Sequence, residues 1–295
     1  MQQHLPKALT VLSLFDGISC GQLALQKLGY DSSNMVYYAS EINKHAIKVT
    51  QHNFPNTIQL GDVTKWQTWC IDLVLAGSPC QGFSFSGKEL AFDDPRSKLF
   101  FVFNDILNHI KNINPKVIYL LENVIMQEKF SNVINSYLGV KPVNINSLYF
   151  THQNRKRLYW SNKEIIHQQT TIRGNRDLSG NVGRIVGRRL QNGVRKDNDL
   201  SIPLEQHLEV TDNKYYNCLT TVAKDTVITS KPVGRYKIKH LNKDDFRYLT
   251  PNECEIAQTL PLDYTSILSE SQRIKAIGNG WTVDVITHIL NQILK

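Results

Sequence analysis

The sequence predicts an α/β fold: an open, parallel-type sheet carrying a smaller basic lobe. Three observations predict it. Short apolar runs alternate with helical patterns through residue 162. That rhythm breaks over residues 163–243, which are rich in Gly, Asn, Arg and Lys. Helical patterning then returns over 244–295. The expected division is therefore a large α/β domain at 1–162, a lobe at 163–243, and a helical tail at 244–295 that returns to the large domain.

The first predicted strand is Ala8–Phe15, followed by the turn Asp16-Gly17-Ile18-Ser19-Cys20-Gly21 and a helix that stops at Gly29. Strand, glycine turn and helix begin a nucleotide-type site. The G-x-x-x-G spacing suits a small adenosyl ligand better than a dinucleotide pyrophosphate. A second strand, Met35–Ala39, ends at Glu41, about twenty residues after the turn, where an acid can accept from ribose hydroxyls. Glu41 equally suits a helix N-terminus, where a carboxylate faces the dipole. A helix over Asn43–His52 and a third strand over Thr57–Leu60 follow. Asp62 is placed to accept from an adenine amino group or to cap the next turn.

The apolar run Ile71–Ala76 predicts a buried strand that ends at Gly77-Ser78-Pro79-Cys80. Pro79 cannot continue a ladder, so Cys80 is expected on a loop at the carboxyl end of the sheet, where open α/β folds bind ligands. A thiol there is a candidate nucleophile; the plainer alternative is a small buried hydrophobe. Gly82 and Gly87 give that loop freedom to move. Ser97 caps a predicted helix, Lys98–Ile113, whose stripe of Leu99, Val102, Phe103, Ile106, Leu107 and Ile110 is core packing. A second buried strand, Lys116–Leu121, ends in Glu122-Asn123-Val124. If the two strands are parallel neighbours, a thiol and a carboxyl group face one crevice.

Val143–Phe150 is predicted as a strand, and over the following Thr151–Trp160 charge alternates with residues that could pack; the plainer alternative for Arg155 and Arg157 is two exposed cations on a strand. In the lobe, Asn217–Val222 and Thr226–Thr229 are β-like. Thr250-Pro251-Asn252-Glu253 is a capping-box start with proline at the first helical position. Helices are expected over Ser271–Ile277, closed by Gly278-Asn279-Gly280, and over Trp281–Leu294.

Bulk properties narrow the classes. A hydrophobic content of 41% suits a globular core. No run of 18 apolar residues occurs, so no membrane span is expected. The five cysteines form no CxxC pair, which disfavours a disulfide framework or a zinc site, and no metal ligand set is expected. Net charge is +8, and residues 163–240 hold 14 Lys/Arg against 8 Asp/Glu. That excess suits a polyanionic partner or a solvated basic face.

In this order, these residues resemble the cytosine-5 DNA methyltransferases over nearly the whole chain, with only partial likeness in the lobe. The glycine turn looks like that family's cofactor motif, Pro79-Cys80 its catalytic motif and Glu122-Asn123-Val124 the acidic partner. Gln153-Asn154-Arg155-Lys156-Arg157 fits Q-x-R-x-R, and Gly278-Asn279-Gly280-Trp281-Thr282-Val283 looks like the last motif. Two features depart from the common bacterial form: an extra residue in the cofactor turn, and Trp281 in the last motif. Both, with Lys98-Leu99-Phe100-Phe101, look like the animal de novo branch.

The resemblance implies a Rossmann-like, S-adenosylmethionine-dependent methyltransferase sheet with a basic target-recognition lobe. It implies catalysis by Cys80, Glu122, Arg155 and Arg157, with either arginine as the one holding the base. The cofactor set would be Phe15, Asp16, Gly17, Ile18, Gly21, Glu41, Ile42, Asp62, Val63, Pro79, Leu99, Asn279, Trp281 and Thr282, with S-adenosylhomocysteine as product. DNA contacts would fall on Gln81, Ser84, Arg188, Arg189 and Lys224, and the stretch Thr220–Asp225 on the base-reading surface. Expected partners are double-stranded DNA and a cognate restriction endonuclease, in a prokaryotic or phage-infected cytoplasm. Rival readings are a transfer-RNA cytosine-5 methyltransferase, although the Cys-Phe-Thr tripeptide of that branch is missing, a catalytically silent DNA-binding relative, and a nicotinamide dehydrogenase, which the glycine spacing disfavours.

Overall fold

The structure is a computed structural model and describes residues 8–65, 70–78, 99–167 and 180–295. It divides into two compact units. Residues 1–146, 156–169 and 280–295 make the first, and 147–155 with 170–279 make the second.

The first unit alternates strand and helix as the apolar runs require. Its elements are β1 (Leu9–Leu14), α1 (Cys20–Lys27), β2 (Met35–Ser40), α2 (Lys44–Asn53), β3 (Ile58–Gln59), β4 (Leu73–Gly77), α3 (Leu99–Ile113), β5 (Ile118–Val124), α4 (Glu128–Leu138), β6 (Val143–Asn146) and β7 (Lys156–Ser161). They build one seven-stranded sheet in the order β3-β2-β1-β4-β5-β7-β6. All pairings are parallel except those of β7, which runs antiparallel to both its neighbours. The order reverses direction between β1 and β4. In open α/β sheets, ligands collect outside the carboxyl ends at such a point.

Central strands are apolar because both their faces are covered. Leu73, Val74, Leu75 and Ala76 of β4 are all inaccessible to solvent, as are Leu120 and Leu121 of β5. Helix α3 buries Phe100, Phe103, Ile106, Leu107 and Ile110 against this sheet. Leu99 and Val102, expected on the same stripe, are only partly buried at its margin.

Three local expectations change. Helix α4 was not anticipated from its Ser- and Asn-rich sequence. It forms because Phe130, Ile134 and Leu138 recur every fourth residue and reach the core, and because Gly139 closes it in the left-handed region (φ 71°). Trp160 Nε1 donates to Asn135 Oδ1 at 2.8 Å and ties the helix to β7. The strand expected over Val143–Phe150 ends at Asn146, and Ser147–Tyr149 is a 3-10 turn. The β-like run Asn217–Val222 is not a strand; its backbone is held by side chains, as described below.

The second unit contains β8 (Asn181–Arg188), β9 (Leu190–Gln191), β10 (Val194–Arg195), β11 (Glu205–Thr211), β12 (Val227–Thr229), β13 (Gly234–Lys237), β14 (Phe246–Tyr248), α5 (Pro251–Ala257) and α6 (Glu270–Asn279). Five of its strands form an antiparallel sheet, β13-β11-β8-β12-β14. One face packs Ile185, Leu208, Val210 and Val227. The expected capping box is present: Thr250 Oγ1 accepts from Glu253 N–H, and Glu253 accepts from Thr250 N–H. The last helix, α7 (Val283–Ile293), belongs to the first unit.

Phe103 lies at the centre of the α3 contact and is fully buried. Phe103→Ala should lower unfolding stability by about 3–5 kcal/mol, read from urea denaturation midpoints.

Candidate active site

Several candidate residues sit where a strand ends. The turn after β1 takes positive φ at Phe15 (59°), Gly17 (60°) and Ser19 (57°). Two non-glycine residues there signal a backbone held by specific contacts. Gly17 N–H donates to Glu41 Oε2 at 2.8 Å, and Ile42 and Asn43 N–H donate to Glu41 Oε1 at 2.8 Å. Glu41 thus joins the first two strand ends and braces the entry to α2. Ile42, beside it, is 74% exposed. Asp62 accepts from both Thr64 N–H and Thr64 Oγ1 at 2.9 Å, as a turn cap does. Ile18, Gly21, Val63 and Thr282 are buried, and Leu99 opens α3.

Asp16 accepts hydrogen bonds from Ser19 Oγ and from Tyr37 Oη, the latter at 2.8 Å. Burial pushes its carboxyl up to about 6; hydrogen bonds from Ser13, Ser19 and Tyr37 oppose the rise, and the nearby Glu41 charge adds to it. Tyr37 was not singled out in the sequence. Its only signal was the alternation of β2, which turns Tyr37 inward.

The parallel pairing of β4 and β5 places Gly77 opposite Glu122. Asn123 Nδ2 donates to Ser78 Oγ at 3.1 Å, so the two strand ends stay together past the ladder. The expectation that these ends share one edge is met. Pro79, Cys80, Gln81 and Ser84 lie outside the described residues.

Glu122 is 8% exposed and held on both oxygens. Arg157 Nε lies 2.9 Å from Oε1, and Trp281 Nε1 donates to Oε2 at 3.1 Å. The indole of Trp281 also lies on Gly77 and near Gly21. A Cβ at residue 77 would come within 2.8 Å of Trp281 Nε1, and one at residue 21 within 3.5 Å of Cζ3. Glycine is required at 77 because the ring occupies that space, and at 21 because a Cβ would lie 2.7 Å from Leu75 Cδ1 and 3.1 Å from Tyr37 Oη. Sequence reading placed Trp281 among cofactor contacts but did not foresee its bond to Glu122.

The two arginines of the Q-x-R-x-R run separate. Arg157 lies on β7 and pairs with Glu122. Arg155 precedes β7, is 4% exposed, and donates to Leu219 O at 2.7 Å and Gly278 O at 3.3 Å. The plainer alternative of two exposed cations on a strand does not hold, because both guanidiniums have buried acceptors. Asn279 belongs to the second unit and is exposed.

Of the expected lobe cations, Lys224 is exposed in a 3-10 turn. Arg188 is not presented: it forms a two-pronged pair with Glu209, both bonds 2.8 Å, and is 8% exposed. Arg189 N–H donates to Asp197 Oδ1 at 3.1 Å. Among the described residues no His, Cys, Asp and Glu cluster could hold a metal ion.

The chain matches the family described as C-5 cytosine-specific DNA methylase over residues 9–160 and 126–295. It is 26% identical over 320 residues to the type II methyltransferase M.DsaV of Dactylococcopsis salina, covering 98% of this chain and 86% of that protein. It is 29% identical over 321 residues to the type II methyltransferase M1.ScrFI of Lactococcus lactis subsp. cremoris, covering 97% and 78%. A crystal structure of a Spodoptera frugiperda DNMT2 mutant shares the fold, with a TM-score of 0.62, 22% identity, and coverage of 98% of this chain and 100% of that one.

Two tests follow from this geometry. The folded state holds the Asp16 proton more tightly than the unfolded chain does. This contribution is present below about pH 4 and lost as pH rises through about 6, amounting to about 2–3 kcal/mol. Asp16→Asn should therefore gain melting temperature relative to the unsubstituted protein as pH goes from 4 to 7. Trp281→Phe keeps an aromatic ring but removes the N–H and part of the indole, and should cost about 2 kcal/mol or more. A double-mutant cycle with Glu122→Gln should return a coupling of at least about 0.5 kcal/mol.

Proposed function

Because the chain belongs to the C-5 cytosine-specific DNA methylase family, we propose that it transfers a methyl group from S-adenosylmethionine to carbon 5 of a flipped cytosine in a specific duplex DNA sequence. The observation that carries this reading is the carboxyl group of Glu122, in register with the last residue of the strand leading to Pro79-Cys80 and paired to Arg157.

The residues fit an adenosyl ligand. Glu41 offers carboxylate oxygens beside the exposed apolar side chain of Ile42, which suits a ribose next to the flat face of a base. The left-handed turn at Phe15–Ser19 permits close backbone approach. Asp16, Gly17, Ile18, Gly21, Val63, Leu99, Trp281 and Thr282 complete the proposed surroundings, with Asp62 toward adenine. When bound, S-adenosylmethionine supplies an electrophilic methyl group.

Carbon 5 of cytosine is too weak a nucleophile by itself. The Cys80 thiolate adds to carbon 6, and the ring electrons move to make carbon 5 an enamine carbon. Glu122 stabilises the charge that develops at N3, and Arg157 holds O2 while its positive charge favours the thiolate. Carbon 5 would take the methyl group as the methyl bond to the sulfonium sulfur breaks, with S-adenosylhomocysteine as the leaving group. Loss of the carbon-5 proton to water acting as the base then expels the Cys80 thiolate and restores the ring. Flipping is required because the target atom is hidden in the duplex.

The second unit is assigned to sequence reading, with Lys224 near phosphate or base edges. The type II methyltransferase relatives support a restriction-modification setting with a cognate endonuclease as counterpart. Among the described residues no helix is long and apolar enough to cross a membrane.

Bisulfite sequencing of DNA from cells expressing the protein should show methylation confined to one short sequence. Cys80→Ala should abolish it, along with the denaturant-resistant complex that the unsubstituted protein forms on 5-fluorocytosine DNA. Turnover by Cys80→Ala, or methylation of transfer RNA in place of duplex DNA, would defeat the proposal.

A further inference from the structure

The stretch 216–226 lies against residues 152–155 through a run of bonds that the chemistry of Glu122 does not use. Tyr216 N–H donates to His152 O at 2.7 Å, and Asn154 N–H donates to Tyr216 O at 2.9 Å. Farther along, side chains replace the backbone. Leu219 N–H donates to Gln153 Oε1 at 2.9 Å, while Leu219 O accepts from Arg155 Nη1 at 2.7 Å. Both polar groups of one peptide residue are thus held by two side chains two positions apart.

Those side chains are anchored in turn. Gln153 is fully buried, and its Nε2 donates to Ala257 O at 2.9 Å and Gln258 Oε1 at 3.1 Å. Gln258, also fully buried, donates to Ile277 O at 3.0 Å. The next residue, Gly278, accepts from Arg155 and presses on the loop from the other side. A Cβ there would come within 2.1 Å of Thr220 O.

The loop is also braced within itself. Thr220 Oγ1 donates to Asp225, Val222 N–H donates to Thr220 Oγ1 at 3.0 Å, and Asn217 Nδ2 donates to Asp225 O at 2.9 Å. Thr221, Val222 and Lys224 stay exposed at its tip. A tip exposed on a clamped base is the form of a reading element, since side chains that discriminate base edges need supports fixed to about half an ångström.

We propose that Gln153 and Arg155 are positioning residues for sequence discrimination: they clamp Leu219 so that Thr221–Lys224 meets the DNA in one geometry, and Arg155 does not touch the flipped base. This rests on the methyltransferase reading above. The test compares kcat/KM on a duplex carrying the site found by bisulfite sequencing with that on each single-base-pair variant. In Gln153→Leu and Arg155→Lys, the ratio of cognate to altered sites should fall at least tenfold, with a raised KM for cognate DNA. Gly278→Ala, which removes no hydrogen-bonding side chain, should do the same by displacing Thr220.

A fall in kcat that is equal on every duplex, with the ratio preserved, would overturn the proposal and return Arg155 to the base. If Gln153→Leu does not fold, the other two variants decide. Hydrogen exchange separates this idea from the reading beneath it. Should the unsubstituted protein methylate nothing, the methyltransferase reading fails, yet protection of the Leu219 amide should still drop at least tenfold in Arg155→Lys or Gly278→Ala. Unchanged protection there would overturn the clamp.

Discussion

Everything in the first unit that bears on chemistry depends on the register between β4 and β5. Because the two strands run parallel, their ends arrive on the same edge of the sheet, and Gly77 lies directly opposite Glu122. A one-residue slip would reverse which face each side chain takes. The apolar runs of both strands fill the core on both faces, so such a slip is resisted by packing along their whole length. The acid is therefore set by the least adaptable part of the molecule, while the residues it serves come from loops and later strands.

Glu122 shows how that rigidity is passed on. One oxygen meets Arg157 of β7 and the other the indole of Trp281. A buried carboxylate is costly to leave unpaired, and here each oxygen has a donor from a different element. The same indole lies on Gly77 and approaches Gly21. The ring accounts for Gly77, while Leu75 and Tyr37 account for Gly21. In a unit whose proposed cofactor turn begins at Phe15, this places the acid, the turn and the last helix in a single packing group.

Much of this was legible in advance. Buried strands announce themselves as short apolar runs. The Thr250-Pro251-Asn252-Glu253 cap was readable because its chemistry is local, and it is present as expected. Other features needed long-range information. Arg155 and Arg157 are chemically alike and separated by one residue, yet the chain enters β7 only at Lys156. One arginine extends from a regular strand and the other from an irregular turn, so periodicity could not assign their partners. Strands β8 and β11 were hidden for a related reason. Their charged residues look like loop sequence until Arg184 and Arg188 of one strand are paired with Glu209 of the other.

The same pairing changes what the basic composition of the lobe means. A count of formal charges treats every cation as available. In the folded chain, Glu209 draws Arg184, Arg188 and Arg235 together, and Glu205 draws Lys237 and Lys239. Hydrogen bonds from these cations hold both carboxyls down at about 2, with Lys237 the chief cause for Glu205 and Arg188 for Glu209. With Asp197 also beside Arg188, cations still outnumber anions and leave the cluster positive, but unevenly so. Arg188 is buried within it, whereas Arg184 and Arg235 keep half and two fifths of their side-chain surface exposed. Carboxylates placed this way do not cancel the positive field. They fix long, flexible side chains in place, which lowers the entropy lost when an anion is met. Which arginine is free to meet one is decided by cross-strand neighbours, and a sequence alone ranks them all the same.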